Sequence, residues 1–185
     1  MKITETNFKG LYVIEPVVYS DSRGFFMEAF NEKMLRVNGL NANFIQDNQS
    51  RSSFGVLRGL HFQNAPYSQT KLVRVLSGTI LDVVVDLRKD QPTFGKHLTL
   101  ELSGENKHQL YIPKGFAHGF SVLSESAEVL YKCDEYYHRE SEGGILFNDP
   151  ALGIDWKVSS DKAIISEKDA NNPVLRDAVF NFIPG

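Results

Sequence analysis

Apolar positions along this chain come in short β-type runs broken by turn residues. KHLTLELS (96–103) is the cleanest case, with Leu98, Leu100 and Leu102 on one face and His97, Thr99 and Glu101 on the other. That alternation predicts a half-buried strand. LYVIEPVVY (11–19) reads as one strand ended by Ser20-Asp21-Ser22-Arg23-Gly24. KLVRVLSGTILDVVVDLR (71–88) is rich in Val, Leu and Ile, and Ser77-Gly78 divides it into an expected hairpin. HQLYIP (108–113), GFSVLS (119–124) and AEVLYKCDEYY (127–137) continue in the same style. Only NEKMLRVNG (31–39) has a helical pattern, with Asn31 to cap its start and Gly39 to stop it. A further helix or two is expected after about Asp161, and VLRGLHFQ (56–63) is taken as a loop. Many short strands with Gly and Pro between them predict an all-β barrel or sandwich. Lys71, Arg74 and Asp82 interrupt strands that otherwise look core-like, which suggests a sheet closed around a ligand cavity.

Length and composition narrow this picture. At 185 residues, 42% of them hydrophobic, the chain suits one domain over 1–185. Twenty basic residues against 23 acidic give a net charge of −3, which argues against nucleic acid or an acidic membrane as partner. The opening MKITETNFKG is polar, so no signal peptide is expected, and no apolar run is long enough for a membrane span. Cys133 is the single cysteine, which leaves neither an internal disulfide nor a cysteine-rich zinc site. A cytoplasmic protein is the expectation.

The chemistry concentrates around a few polar residues. IPKGFAHGF (112–120) contains P-x-G-x-x-H, which resembles half of the second motif of cupin barrels. A metal-binding cupin also needs H-x-H and a carboxylate, whereas here His61 is followed two residues later by Gln63. His97, His108 and His138 read as surface histidines, so a metal-free pocket is favoured. His61 and His118 then need other companions. Asp82 sits mid-strand, where an unpaired carboxylate is costly to bury; Asp169 closes the cluster ISEKD. Either can hold an imidazole N–H. With Lys71 and Tyr131, such a pair suits proton transfer beside a carbonyl: the histidine takes a proton from carbon, the ammonium stabilises the enolate, and the phenol returns a proton.

At this point a family resemblance becomes specific. DSRGFFMEAF (21–30), FIQDNQSRS (44–52), VLRGLHFQ, KLVRVLSGTILDVVVDLR, IPKGFAHGF, YKCDEYYHRESEGGILFNDP (131–150) and ISEKD (165–169) occur in order. Together they resemble the dTDP-4-dehydrorhamnose 3,5-epimerases, metal-free cupins of rhamnose nucleotide synthesis. The resemblance implies a cupin-type jelly-roll barrel with a few short peripheral helices, no metal and no cofactor, and a dTDP-4-keto-6-deoxy-sugar as substrate. It also implies a homodimer in which N-terminal strands, about 1–30, are exchanged, and a C-terminal extension over about 150–185.

By that resemblance His61 is the base at C3 and C5, Asp169 its orienting partner, Lys71 the electrophile at the 4-keto oxygen and Tyr131 the acid at C5. Arg23 and Arg58 correspond to the arginines that take the pyrophosphate, a role suited to their planar forks. Glu28, Gln46, Asp47 and Asn48 correspond to nucleoside contacts, Tyr137 to the ring that stacks on thymine, and His118, Glu142 and Lys168 to further ligand contacts. Which of Arg23, Phe25 and Glu28 crosses to the partner, and whether Asp82 or Asp169 orients His61, stay open. Two departures stand out: Lys157 follows Gly153-Ile154-Asp155-Trp156 where that family often has proline, and Cys133 stands where small polar residues are common. The competing expectations are an epimerase acting at C3 only or C5 only, a 3,4-ketoisomerase, a non-catalytic sugar-nucleotide binder and a metal-dependent cupin.

Overall fold

Two β-sheets face each other across a shared apolar core. The computed structural model describes residues 1–182; residues 183–185, the last of the expected 1–185 domain, lie outside the described residues. The N-terminal part runs β1 (Lys2–Glu5), β2 (Tyr12–Glu15), β3 (Val18–Asp21), β4 (Gly24–Met27) and α1 (Glu32–Val37). The barrel strands follow as β5 (Gln46–Ser53), β6 (Val56–Gln63), β7 (Lys71–Ser77), β8 (Thr79–Asp86) and β9 (His97–Ser103). After them come β10 (Gln109–Ile112), β11 (Phe116–Val122), β12 (Ser126–Cys133), β13 (Glu142–Gly144), β14 (Ile164–Ile165) and α2 (Glu167–Ala170). The first sheet has the order β1-β2-β10-β7-β12-β5, and the second β13-β6-β11-β8-β9 with β14 added on β6. This is the expected cupin-type jelly roll with short helices outside it.

Strand alternation explains the three apolar clusters. Val73, Val75, Ile80, Val84, Phe120, Val122, Ala127 and Val129 point between the sheets and form the interior. The intervening residues of the second sheet, Leu81, Val83 and Val85, pack outward against Ile145, Leu152 and Trp156, so the C-terminal segment is a cover for that face. Leu72 and Tyr111 on the outside of the first sheet are covered by Leu35 of α1 and by Leu40. A strand buried on both faces reads as a continuous apolar run, which is why ILDVVVD shows no alternation. The Leu98, Leu100 and Leu102 stripe of β9 faces the interior as expected, and α1 is capped by Asn31, whose side chain accepts from the Met34 N–H.

Four expectations need correction. Segment 11–19 is two strands, because Pro16 can donate no ladder hydrogen bond; β3 leaves the first sheet and pairs only with β4. The 71–88 segment is not a hairpin, since β7 pairs with β10 and β12 while β8 pairs with β9 and β11. Gly78 turns the chain from one sheet to the other at φ +76°, where a Cβ would lie 2.0 Å from the Ser126 carbonyl oxygen. Arg74 does not face the interior; it alternates with Val73 and Val75 and lies outside the sheet among Ala29, Phe30 and Leu72. Lys157 has φ +58°, a left-handed value closed to proline's ring.

The fourth correction matters most for the site. Residues 56–63 are a strand with an irregularity, not a loop: the register against β11 shifts between His118 and Phe120. Leu57, Leu60 and Phe62 pack outward. Arg58 and His61, three apart and so on opposite faces of a regular strand, therefore both point inward. An extra residue in one strand re-aims side chains in this way. Gly59 carries it, with φ +118°, and a Cβ there would lie 2.5 Å from the Gly119 Cα. Gly59→Ala is thus expected to lose about 1–3 kcal/mol and lower Tm by about 3–10 °C, measured by reversible thermal unfolding. An unchanged Tm would show that the bulge does not need glycine.

Candidate active site

The inward residues of the two sheets enclose a cleft of about 650 Å³, within the range of small-molecule sites. His61 and Arg58 on β6 and His118 on β11 line it from the second sheet; Asn48 on β5, Lys71 on β7 and Tyr131 on β12 line it from the first. Lys168 and Asp169 of α2 close one side. The base and the phenol proposed from sequence therefore project from facing sheets into one space.

His61 and Asp169 form the central pair. Nε2 of His61 lies 2.6 Å from Oδ1 of Asp169, and the other carboxylate oxygen accepts the Gly59 N–H at 3.2 Å. Ser166 caps α2 by accepting the Asp169 N–H, which fixes the carboxylate's backbone. A carboxylate can only accept, so it selects the tautomer with the proton on Nε2 and leaves Nδ1 as the basic nitrogen. Burial pushes the Asp169 carboxyl upward, but His61 and the Gly59 and Ser166 hydrogen bonds outweigh it, and the net shift is downward. Asp82 does not serve His61: fully buried, it holds Nε2 of His118 at 2.9 Å, and its Oδ1 has no hydrogen-bond partner among the described residues. His118 and His61 are register partners on adjacent strands, so two carboxylate-held imidazoles stand side by side.

Lys71 and Tyr131 meet on the facing wall, with the lysine Nζ 5.8 Å from the tyrosine ring centroid. Burial lowers the Lys71 pKa, an effect opposed by Cys133, Asp82 and Glu142. Burial raises the Tyr131 phenol. The phenol is thereby held protonated, whereas the ammonium is brought closer to losing its proton. Cys133 is a buried free thiol that accepts weakly from Asn48 at 3.7 Å, which accounts for a residue the family resemblance singled out as a departure.

Beside the cleft, in a neighbouring pocket that meets it at Lys168, Glu142 ties two other expected residues together: it accepts the Tyr137 hydroxyl at 2.9 Å and the Lys168 ammonium at 2.5 Å. Arg58 donates to Ser52 through Nε at 3.1 Å and has no carboxylate within ion-pair distance among the described residues. Gln46 points inward and bonds Asn48 at 3.0 Å and the Tyr137 N–H at 3.2 Å. Asp47, by contrast, faces outward in an ion pair with Lys132 at 2.9 Å, because neighbours along β5 alternate sides. Arg23 and Glu28 are also away from the cleft: Arg23 pairs with Asp21 on the exposed β3–β4 hairpin, and Glu28 accepts from Asn31. Sequence reasoning missed Ser52, which steadies Arg58, and Gln63, which in the sequence counts only as the absence of a second histidine. It also misplaced His138, which stacks on Tyr67 with centroids 3.9 Å apart rather than lying loose on the surface. Among the described residues no three His, Cys, Asp or Glu side chains gather as a metal site, and no helix is long and apolar enough to cross a membrane.

A β-barrel whose polar cleft is organised around a carboxylate-held imidazole, with an ammonium and a phenol opposite, defines a cupin-type acid–base isomerase. The comparisons with known proteins make the assignment specific. Residues 5–177 match the family model described as dTDP-4-dehydrorhamnose 3,5-epimerase. The chain is 51% identical over 177 residues to the dTDP-4-dehydrorhamnose 3,5-epimerase of Methanothermobacter thermautotrophicus, covering 95% of each. It is similar, at 50% identity and a TM-score of 0.91, to a crystal structure of dTDP-6-deoxy-D-glucose-3,5-epimerase from Legionella pneumophila Philadelphia 1 in complex with dTDP-4-keto-L-rhamnose, covering 95% of this chain and 93% of that one. A 3'-monoepimerase from Streptomyces bikiniensis in complex with dTDP-quinovose matches at 32% identity and a TM-score of 0.85, covering 92% and 86%. The chain belongs to the dTDP-4-dehydrorhamnose 3,5-epimerase family.

The lowered Asp169 pKa has a stability consequence. A carboxyl depressed by folding stabilises the protein above its unfolded pKa, about 3.9 for Asp, and that contribution is lost as pH falls through the folded value. Asp169→Asn should therefore be less stable than the native chain at pH 7, with the gap closing towards pH 3 in urea unfolding. A gap that stays constant with pH would place its origin in packing rather than in the charge.

Proposed function

We propose that this chain, acting as a cytoplasmic homodimer, epimerises dTDP-4-dehydro-6-deoxy-D-glucose at C3 and C5 to dTDP-4-dehydro-L-rhamnose by acid–base catalysis. The observation that carries this is the opposition of His61, held by Asp169 on one wall, to Lys71 and Tyr131 on the other. The ketone at C4 acidifies both neighbouring carbons, since either carbanion delocalises onto the same oxygen. His61 Nδ1 takes the proton from carbon, and the electron pair moves onto the 4-oxygen, where the Lys71 ammonium stabilises it. A proton returned to C5 by Tyr131 from the opposite face inverts that centre; a proton returned from the original face would restore it. At C3 the proton added to the opposite face comes from solvent, and His61 returns its proton to solvent between the two steps, so only proton transfers occur and no oxidant or reductant enters the balance. Oxyanion stabilisation of this kind is worth about 3–4 kcal/mol, and each positioned acid or base about 10²–10⁴-fold.

The nucleotide lies towards the mouth. Arg58, with no carboxylate partner among the described residues, takes the diphosphate; Gln46 and Asn48 contact the nucleoside; Tyr137 stacks on the base, with Glu142 and Lys168 beside it. Arg23 and Glu28 belong to a hairpin detached from both sheets that exposes Tyr19, Phe25 and Phe26. In the homodimer this hairpin reaches the partner's cleft and contributes Arg23 there. The Asp47 carboxylate, turned outward to Lys132, does not face this pocket. What supports a cytoplasmic setting is a lone cysteine, kept as a buried thiol inside the barrel.

A second reading, epimerisation at one carbon only, has one observation in its favour: the monoepimerase match at a TM-score of 0.85 means that the fold alone does not separate the two. Following solvent deuterium into the substrate by NMR does separate them. The native chain should exchange at both C3 and C5, His61→Ala at neither, and Tyr131→Phe at C3 without productive inversion at C5. Exchange at C3 alone in the native chain would establish the second reading, and near-normal turnover in His61→Ala would place the base elsewhere.

The pH profile tests Lys71 separately. Because burial lowers its pKa, turnover should fall on the alkaline side before the value of about 10.4 typical of lysine. Lys71→Met should lose about 10²–10³-fold in kcat together with that limb. An alkaline limb that persists unchanged in Lys71→Met would belong to another group.

A further inference from the structure

Gln63 occupies the position at which a metal-binding cupin would carry a ligand, and its amide is fully engaged elsewhere. The side chain is 5% exposed. Nε2 donates to the Tyr67 carbonyl at 2.6 Å and to the Tyr136 carbonyl at 3.1 Å, and Oε1 accepts the His138 N–H at 2.7 Å. Gln46 accepts the N–H of the intervening residue, Tyr137, at 3.2 Å. Three consecutive residues of an irregular segment are thus pinned by two glutamines, while the Tyr137 ring itself remains 56% exposed. The His138 ring, stacked on Tyr67 at an interplanar angle of 4°, adds a second tie between the same two loops.

We infer that Gln63 is a positioning residue for nucleotide binding: by clamping Tyr136 and His138 it sets the Tyr137 ring beside the cleft before ligand arrives. The inference rests on the assignment of Tyr137 to the base. Its physical basis is preorganisation. A loop with no regular structure must lose conformational freedom to present a ring, and a clamp already formed in the free protein removes that cost from binding. The residue type follows from the hydrogen-bond pattern, since two carbonyls and one N–H facing a single buried group require two donors and one acceptor. Only a primary amide supplies that set at this length. Glutamate would turn an acceptor towards the Tyr67 and Tyr136 oxygens, and methionine would keep the shape while leaving all three backbone groups without a partner.

A double-mutant cycle tests this through dTDP affinity, measured by calorimetry, and through steady-state turnover of the full chain. Gln63→Met should weaken dTDP binding and raise KM about tenfold while kcat stays within about twofold, because the reacting groups deeper in the cleft are untouched. In a Tyr137→Ala background the same substitution should have little further effect, since the ring it positions is gone. Gln63→Glu should behave like Gln63→Met, and it serves as the second variant if the methionine chain does not fold. An equal loss in both backgrounds, or a fall in kcat with unchanged dTDP affinity, would overturn the role. The outcomes separate the two levels of inference. If Tyr137→Ala alone leaves dTDP affinity intact, the assignment of Tyr137 to the base fails. If Tyr137→Ala weakens binding and neither Gln63 variant does, only the positioning role fails.

Discussion

The hydrogen bond between His61 and Asp169 is the constraint on which the site depends. It joins residues 108 apart in sequence, and three separate features of the fold have to be in place for it to form. The bulge at Gly59 turns His61 inward and offers the Gly59 N–H to the same carboxylate. The pairing of β14 alongside β6 brings the C-terminal segment back to the barrel. The Ser166 cap then fixes the one short helical turn that carries Asp169. The segment after residue 145 has therefore two tasks, covering the outer face of one sheet with Trp156 and its neighbours and delivering the Asp169 carboxylate to His61 on the inner face. The orientation of the His61 imidazole is coupled in this way to the integrity of the whole sandwich.

The corner at Gly78 has a comparable place in the architecture. By sending β7 and β8 to different sheets, it sets Lys71 and Asp82 on opposite walls although both come from one apolar run. Polar groups enter the cleft from both sheets and from α2, among apolar residues such as Val56, Phe120 and Ile165, and they are few and individually held: His118 by Asp82, His61 by Asp169, Arg58 by Ser52. Such fixed groups do not need to reorganise as charge develops on a substrate oxygen, which is where preorganised sites gain most of their rate.

What the sequence disclosed follows from which physics is local. Alternation in 96–103 and the capped helix after Asn31 are short-range and were legible. Strand β5 was not, because Gln46–Ser53 is polar on both faces, one turned to the cleft and the other to solvent, so no apolar stripe marks it. The 56–63 strand was hidden by its own bulge, which breaks the period of two. The spacing of Arg58 and His61 held the clue, since two cleft residues three apart require an extra residue between them. Asp47 was misplaced because it was taken with Gln46 and Asn48 as one run, although strand neighbours point to opposite sides. The choice between Asp82 and Asp169 as partner for His61 depends on tertiary packing, and no pattern within either segment encodes it.

Opposition across the sugar is the central claim, and a crystal structure of this chain with a 4-hydroxy analogue of the substrate tests it most directly, since without the acidifying ketone the ring stays unreacted. The account predicts His61 against one face of the pyranose, Tyr131 against the other, and Lys71 beside the oxygen on C4. Both rings on one face, or a sugar bound clear of His61, would contradict it.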